Sequence, residues 1–222
     1  MGVAVRGTGR LVAWLTLVGA VALLGYTSRA SGTKPAQDAL YRYATAAEQG
    51  VFFLFVLAVV LVIATGVSKR ELLALRRPAS WRQAAGIVLA VLIVVYAANA
   101  ALDPLLHAGR EQGLAPKRWE PSHAGAFAAN FVVFGLFGPL VEELTFRGEG
   151  FGLLAGRLGR PATVIAVGLA FGVWHGLVDA LPVLTVFGIG LAYLRSRTDS
   201  IYPGMILHAA FNALALGLAV ST

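Results

Sequence analysis

Strongly apolar stretches separated by short polar connections run along the whole chain. A helix needs about 20 apolar residues to cross a bilayer, and most of these stretches approach that length. They lack the strict alternation that is typical of lipid-facing barrel strands. The pattern therefore predicts an all-α, polytopic transmembrane helical bundle of about seven membrane helices, between six and eight. The stretches lie at 11–27, 49–67, 84–102, 124–145, 161–178, 181–194 and 201–220.

Composition agrees with a membrane protein, because 58% of the residues are hydrophobic and only 13% are charged. Soluble domains carry about 25% charged residues. We find no internal repeat and no low-complexity segment, so we expect a single integral membrane domain over residues 1–222. The absence of cysteine excludes a thiolate nucleophile and a cysteine-ligated zinc site.

The net charge of +7 raises nucleic acid as a partner. The basic residues are scattered over the connections and do not gather on one face, so we predict membrane lipids as partners and no nucleic acid. The oligomeric state stays open at this stage.

Basic residues are unevenly divided between the connections. With the N-terminus in the cytoplasm and alternating helices, the cytoplasmic side holds twelve: Arg6, Arg10, Lys69, Arg70, Arg76, Arg77, Arg82, Arg147, Arg157, Arg160, Arg195 and Arg197. The outer side holds six: Arg29, Lys34, Arg42, Arg110, Lys117 and Arg118. Because Lys and Arg are enriched in cytoplasmic loops, we predict a multi-pass cell-membrane protein with its N-terminus cytoplasmic and its C-terminus outside.

The first apolar stretch has two interpretations. Arg6 and Arg10 precede a short apolar run, which is also the pattern of a cleaved signal peptide. We expect a retained helix, because a polytopic protein needs no separate signal.

Ionisable side chains inside apolar stretches are confined to the last third of the chain. The fourth stretch carries Glu142, Glu143 and Arg147 at its end, and Glu149 follows as an expected interfacial residue. Glu143 and Arg147 are four apart and share a helix face, so we expect an ion pair between them. Glu142 is turned by about 100° around the helix and points elsewhere. Taken alone, this cluster is also compatible with a simple helix cap at the cytoplasmic interface.

Histidines mark the fifth and seventh stretches. His175 follows Trp174, and His208 shares a helix face with Asn212 four residues later. Singly, each is more typical of hydrogen-bonded packing between helices than of catalysis. Together with the glutamates, they place several costly polar groups in consecutive apolar helices, which indicates a functional site.

These residue types are sufficient for amide hydrolysis. A buried glutamate can take a proton from water, and a histidine can hold that water or protonate the leaving amine. Asn and His side chains can stabilise an oxyanion. Glu142, His175 and His208 also match the two-His, one-Glu set of catalytic zinc, although no His-Glu-x-x-His helix is present. The residues therefore leave zinc and metal-free chemistry both open.

The order Glu142-Glu143-x-x-x-Arg147, Phe171-x-x-x-His175 and His208-x-x-x-Asn212 resembles the CPBP family of intramembrane proteases. That family includes CAAX prenyl endopeptidases, bacteriocin-processing proteins and self-immunity proteins. The resemblance covers about residues 124–220, which would be the motif-bearing catalytic core, and shows no departure from the motif pattern.

The resemblance implies an endopeptidase whose substrate is a membrane-associated peptide or a lipidated, CAAX-type protein. It implies that Glu142 activates water and that His175 holds that water. His208 and Asn212 would stabilise the oxyanion, while Glu143 and Arg147 would support the site. The resemblance leaves open whether the mechanism depends on a metal or on glutamate alone.

If the fourth helix ends at its motif, the glutamates and the two histidines lie at depths in the membrane that are too different for one site. Counted at 1.5 Å per residue, His208 lies roughly 10 Å and His175 roughly 20 Å from the cytoplasmic ends of their helices. A later start of the fifth helix, or tilted or broken helices, would also remove the conflict. We favour a fourth helix that continues beyond Arg147, which would carry Glu142 below the surface. A water-filled cavity open to the cytoplasm would then serve the site.

Two alternatives to an enzyme stay open. One is a non-proteolytic membrane scaffold or self-immunity protein on the same fold, because an intact motif does not prove turnover. The other is a proton-coupled transporter, in which buried Glu and His relay protons. Transporters usually have repeat symmetry with broken helices in both halves, whereas here the polar residues lie in one half.

Overall fold

Long helices make up nearly all of the structure. The computed structural model describes residues 2–32, 36, 38–106, 111 and 119–220, and no strand occurs among them. The all-α polytopic fold is thereby confirmed, and each apolar stretch falls on one helix. In the described residues the seven long helices are α1 Gly2–Ala30, α2 Tyr43–Ile63, α3 Trp81–Leu106, α4 Pro121–Leu158, α5 Arg160–Trp174, α6 Leu181–Thr198 and α7 Tyr202–Ala219.

Five of these helices, α1 to α4 and α7, are long and apolar enough to cross a membrane. Helix α5 has only 15 residues, and the last turns of α6 carry Arg195 and Arg197. Five of the seven predicted crossings therefore meet the criteria of length and composition by themselves. Helices α5 and α6 pack closely against each other.

Helix α4 is longer than its apolar stretch, because it runs for 38 residues to Leu158. The expected continuation beyond Arg147 is thus confirmed. Two seven-residue π-helical segments, Phe131–Phe137 and Leu144–Gly150, flank the α-helical turns that carry the two glutamates. Such π segments change the direction in which side chains project and are frequent at functional sites.

Six helices surround a central space in the order α1, α2, α4, α7, α6 and α5, and each contacts the next. Helix α3 lies outside this ring and packs on α6 and α7. Helix α1 is fixed in the ring by Trp14, whose buried indole Nε1 donates to the Thr145 carbonyl at 2.8 Å.

The bundle has two chemically different ends. The basic end comprises residues 64–80, the turn at Gly159 and residues 195–201. There the Arg10 guanidinium donates to the Ile63 carbonyl at 3.1 Å. The opposite end comprises residues 31–32, 36, 38–42, 119–123 and 175–180. Of the predicted outer basic residues, Lys34, Arg110, Lys117 and Arg118 lie outside the described residues.

Asp199 gathers three arginines at the basic end. Arg76 donates to its carboxylate, Arg195 donates to Oδ1 at 2.8 Å, and Arg160 lies 3.9 Å from Oδ1. Burial raises the pKa of Asp199, but the Arg195 hydrogen bond and the three positive charges outweigh it and lower the pKa below its usual value. This cluster joins the connection after α2 to the turn between α6 and α7.

The substitution Asp199→Asn is expected to destabilise the protein modestly at neutral pH. Asparagine tolerates the left-handed backbone at this position, where φ is 51°, so the change removes mainly charge. Because the side chain is 47% exposed, we expect a loss of no more than about 1 kcal/mol in unfolding free energy. The lowered pKa means that the contribution is complete above the unfolded pKa of about 3.9 and disappears as the pH falls through the folded value.

Unfolding of both proteins in detergent at pH 7 and at acid pH measures this effect. The difference between wild type and variant should shrink at acid pH. A difference that grows on acidification would contradict the role of the ionised carboxylate.

Candidate active site

A fully buried ion pair lies at the centre of the bundle. Arg147 donates through Nη1 to Glu143 Oε1 at 2.9 Å, and neither side chain is exposed. Arg147 also donates through Nη2 to the Gly188 carbonyl at 3.0 Å, and its guanidinium lies 4.3 Å from the centre of the Phe171 ring. The ion pair predicted from the four-residue spacing forms. The placement of Arg147 in a cytoplasmic connection was wrong, because α4 continues past it and buries it.

His208 connects this ion pair to Glu142. Its Nδ1 lies 3.1 Å from Glu143 Oε1, and its Nε2 lies 3.6 Å from Glu142 Oε2. Because a carboxylate only accepts hydrogen bonds, Nδ1 carries a hydrogen and donates it to Glu143. Phe171 and Phe187 contact the imidazole ring edge to face. The ring is therefore held with Nε2 directed at Glu142.

The close approach of α7 to Glu143 depends on Gly204. A Cβ atom at this position would lie 2.5 Å from Glu143 Oε2. We expect Gly204→Ala to displace the Glu143 carboxylate from His208 and to reduce any activity of the site at least tenfold. The matched control is Gly217→Ala on the same helix, where a Cβ atom meets nothing within 4 Å.

Hydrolysis of a peptide by the two variants in detergent measures the effect, with unfolding curves to confirm that both proteins fold. Equal activity of Gly204→Ala and Gly217→Ala would contradict the positioning of His208 by Glu143.

His175 and Asn212 lie in the same cavity as Glu142 and His208. Because its partner is a carbonyl oxygen, His175 Nδ1 donates to Phe171 at 2.8 Å, which leaves Nε2 of the neutral ring as an acceptor. The Asn212 side-chain amide donates one of its two hydrogens to the Phe134 carbonyl at 3.1 Å, and its second hydrogen can be donated to a ligand. The structure thus brings all six predicted residues to one region, with Glu143 and Arg147 behind the cavity wall.

The cavity has a volume of about 790 Å³ and is mostly apolar. The residues that line the cavity lie at mid-depth of the bundle or towards its opposite end. Glu142 and His208 form the floor, whereas Gln49, Leu177 and Ala219 lie towards the opposite end. An opening towards the cytoplasm and an N-terminus in the cytoplasm were both expected. These two expectations cannot both be correct, because the N-terminus lies at the basic end and the cavity extends away from that end. The aromatic lining consists of Phe52, Phe53, Phe134, Phe171, Trp174, Phe187 and Phe211.

The three-residue zinc set is not assembled. The spacing of 3.6 Å between Glu142 Oε2 and His208 Nε2 suits two ligands of one ion. However, the described residues contain no group of three His, Cys, Asp or Glu side chains arranged to hold a metal. His175 lines the cavity without completing such a group. The described residues therefore do not fit the three-residue zinc set that the sequence left open.

Glu149 was expected at the membrane interface, and the structure places it in the interior of the bundle instead. Its side chain is fully buried in α4, and neither carboxylate oxygen has a hydrogen-bond partner among the described residues. It does not line the cavity. It therefore provides a buried glutamate on the same helix that is separate from the candidate site.

Residues 124–214 match the family model described as type II CAAX prenyl endopeptidase Rce1-like. This match supports a CPBP-family intramembrane protease. The resemblance drawn from the three motifs is thereby confirmed, and a CAAX-type intramembrane protease is supported in general terms. No curated protein and no solved structure matches the chain.

The region matched by the protease family begins at the start of α4 and leaves out α1 to α3. Yet Val21, Leu24 and Gly25 of α1 and Gln49, Phe52 and Phe53 of α2 line the cavity. The three sequence motifs do not point to these residues, because α1 and α2 carry no ionisable side chain in the cavity. Only the tertiary arrangement identifies them as part of the site.

Proposed function

We propose that this protein hydrolyses a peptide bond in a membrane-associated peptide or lipidated protein, with water activated by Glu142. The observation that carries the proposal is the Arg147–Glu143–His208–Glu142 series at the floor of an apolar cavity. Hydrogen bonds join Arg147 to Glu143 and Glu143 to His208, and His208 Nε2 lies 3.6 Å from the Glu142 carboxylate, which lines the cavity. Such preorganisation is what hydrolysis of a stable amide requires.

Glu142 acts as the general base. It takes a proton from a water molecule, and the oxygen of that water attacks the scissile carbonyl carbon. His175, with its unprotonated Nε2, accepts the other hydrogen of the water and orients it. When the C–N bond breaks, Glu142 returns the proton to the leaving nitrogen, so that the products are a carboxyl group and an amine.

His208 and Asn212 stabilise the oxyanion. His208 already donates through Nδ1 to Glu143, so a proton on Nε2 makes the ring an imidazolium between two carboxylates. That imidazolium and the second amide hydrogen of Asn212 are hydrogen-bond donors on side chains that line the cavity with Glu142. Removing a single donor of this kind typically costs 10²–10³-fold in kcat.

The test is hydrolysis of a quenched library of apolar and lipidated peptides by the purified protein in detergent, with identification of the cleaved bond. We expect cleavage that continues in the presence of a chelator. Cleavage that the chelator abolishes and zinc restores would contradict the metal-free mechanism. A folded protein that cleaves no peptide of either kind would favour the scaffold or self-immunity alternative.

A further inference from the structure

A second apolar groove lies between α3 and α6, apart from the cavity that contains Glu142. It has a volume of about 620 Å³, and its lining is apolar except for Gln83 and Tyr193. Val94 and Tyr193, which line it on the two helices, are both exposed, so the groove is open to the surface of the bundle. No residue of the candidate active site contributes to it. The groove is therefore a separate feature that the proposed hydrolysis does not use.

The length and width of the groove suit a hydrocarbon chain. A Cβ atom on Gly190 would lie 2.6 Å from Val91 Cγ1, so α3 and α6 touch, and touching helices leave no space between them for a third helix about 10 Å wide. At 1.5 Å per residue, the α3 lining between Gln83 and Val95 spans roughly 18 Å. That length matches one leaflet, which is half of a hydrocarbon core about 30 Å thick. The groove thus fits an acyl chain of one leaflet and not a membrane-crossing helix of a partner.

Two exposed arginines lie where the groove reaches the basic end. Arg197 follows Tyr193 by four residues on α6, so the two side chains share the face that lines the groove. Arg82 precedes Gln83 in the first turn of α3. The two helices run in opposite directions, and α3 begins where α6 ends. Counted from the contact between the helices at 1.5 Å per residue, Arg82 lies roughly 14 Å and Arg197 roughly 11 Å towards the basic end. Both arginines are therefore at nearly the same depth.

Neither arginine has an acidic partner among the residues that the structure describes. The ion pairs in this part of the bundle instead join Asp199 to three other arginines. Arg82 and Arg197 thus bring two positive charges to the end of an apolar groove. Guanidinium groups bind phosphate through paired hydrogen bonds, and basic pockets between membrane helices bind anionic lipid headgroups.

We propose that an anionic phospholipid binds here, with one acyl chain in the groove and its phosphate between Arg82 and Arg197. Gln83 and the Tyr193 hydroxyl are neutral donors at the same end of the groove. A zwitterionic headgroup fits less well, because it would bring its own cation next to the two arginines. Since α3 lies outside the ring and packs on α6 and α7, the lipid would fasten α3 to α6. This inference does not depend on the proposed protease function.

Native mass spectrometry of the whole chain, delipidated in a non-ionic detergent, measures the binding. The probes are phosphatidylglycerol, phosphatidylcholine with the same acyl chains, and glycerol 3-phosphate, which has the phosphate without the chains. We expect one phosphatidylglycerol per protein, bound at least tenfold more tightly than either other probe. Equally tight phosphatidylcholine overturns the role of the arginines, and equally tight glycerol 3-phosphate overturns the role of the groove. Dimers that form without lipid and exclude it would assign the groove to a second copy of the chain and also overturn the proposal.

The headgroup contacts are tested by the double variant Arg82→Gln with Arg197→Gln. We expect it to bind phosphatidylglycerol at least tenfold more weakly than wild type. The matched control is Lys69→Gln with Arg70→Gln, which removes two exposed charges of the basic end that do not flank the groove. The control should change the affinity less than twofold. Equal losses in the two double variants would indicate unspecific attraction to the basic end and would contradict the proposed site.

The acyl-chain contact is tested by Ala90→Leu, which fills the groove from α3. Its control is Ala85→Leu, because Ala85 is exposed on the same helix and does not line the groove. We expect the affinity for phosphatidylglycerol to fall at least fivefold in the first variant and less than twofold in the second. In vesicles, phosphatidylglycerol with a diazirine in its acyl chain should label wild type at residues 86–95 and 186–193. Unchanged binding by Ala90→Leu, or label spread evenly over the outer helices, overturns the proposal.

Discussion

Replacing Glu142 by glutamine is expected to reduce peptide hydrolysis at least 100-fold while leaving the fold intact. The amide is nearly isosteric with the carboxylate but cannot take a proton from water, and general-base catalysis typically contributes about 10²–10⁴-fold. Glu142 is not part of the Glu143–Arg147 ion pair, and its ionic contact is with His208 Nε2 at 3.6 Å. The measurement is kcat/KM on a cleaved peptide in detergent.

Glu149→Gln is the matched control for this experiment. It removes a second buried carboxylate from the same helix, but one that does not line the cavity. We expect the control to keep activity within about threefold of wild type. If Glu142→Gln and Glu149→Gln retained the same activity, Glu142 would have no part in the mechanism.

Replacing Arg147 by methionine is expected to lower the free energy of unfolding by about 3–5 kcal/mol. The loss arises because the Glu143 carboxylate stays fully buried while its closest cation is removed. Chemical unfolding in mixed micelles measures the change. Arg197→Met is the control, since this arginine is exposed at the basic end of α6, and it should change the stability by less than about 0.5 kcal/mol.

The double variant Glu143→Met with Arg147→Met separates stability from activity. Because a buried ion pair can be replaced by apolar side chains with little loss, most of the stability should return. Activity should remain at least tenfold below wild type, since His208 Nδ1 then has no carboxylate to hold it. A double variant that regains both stability and activity would show that Glu143 does not position His208.

Much of the architecture followed from the spacing of apolar and polar residues. The helical class and the Glu143–Arg147 ion pair came from local periodicity, because residues four apart share a helix face wherever the helix lies. The resemblance to the CPBP family came from the order of three short motifs. The continuation of α4 was the favoured of several ways to resolve a conflict between depths, and the structure bears it out. These predictions needed no knowledge of which helices are neighbours.

The contacts between helices were beyond such reasoning. The oxyanion role expected of His208 and Asn212 gave no indication that the closest polar contacts of His208 are Glu143 and Glu142. Gly204 is one of many glycines in the sequence, and only the distance to Glu143 identifies its importance. The direction in which the cavity extends was also beyond prediction from sequence, because it depends on which helix ends are filled by buried side chains such as Phe146 and Arg147.

The closed floor beneath Glu142 has a consequence for the electrical integrity of the cell. A recess that carries water to mid-depth shortens the insulating path across the membrane, and the remaining barrier is the packed layer around Phe146 and Phe187. The membrane potential then falls mainly across that thin layer. The same side chains that hold Arg147 and His208 in place therefore also prevent ions and protons from leaking through the bundle.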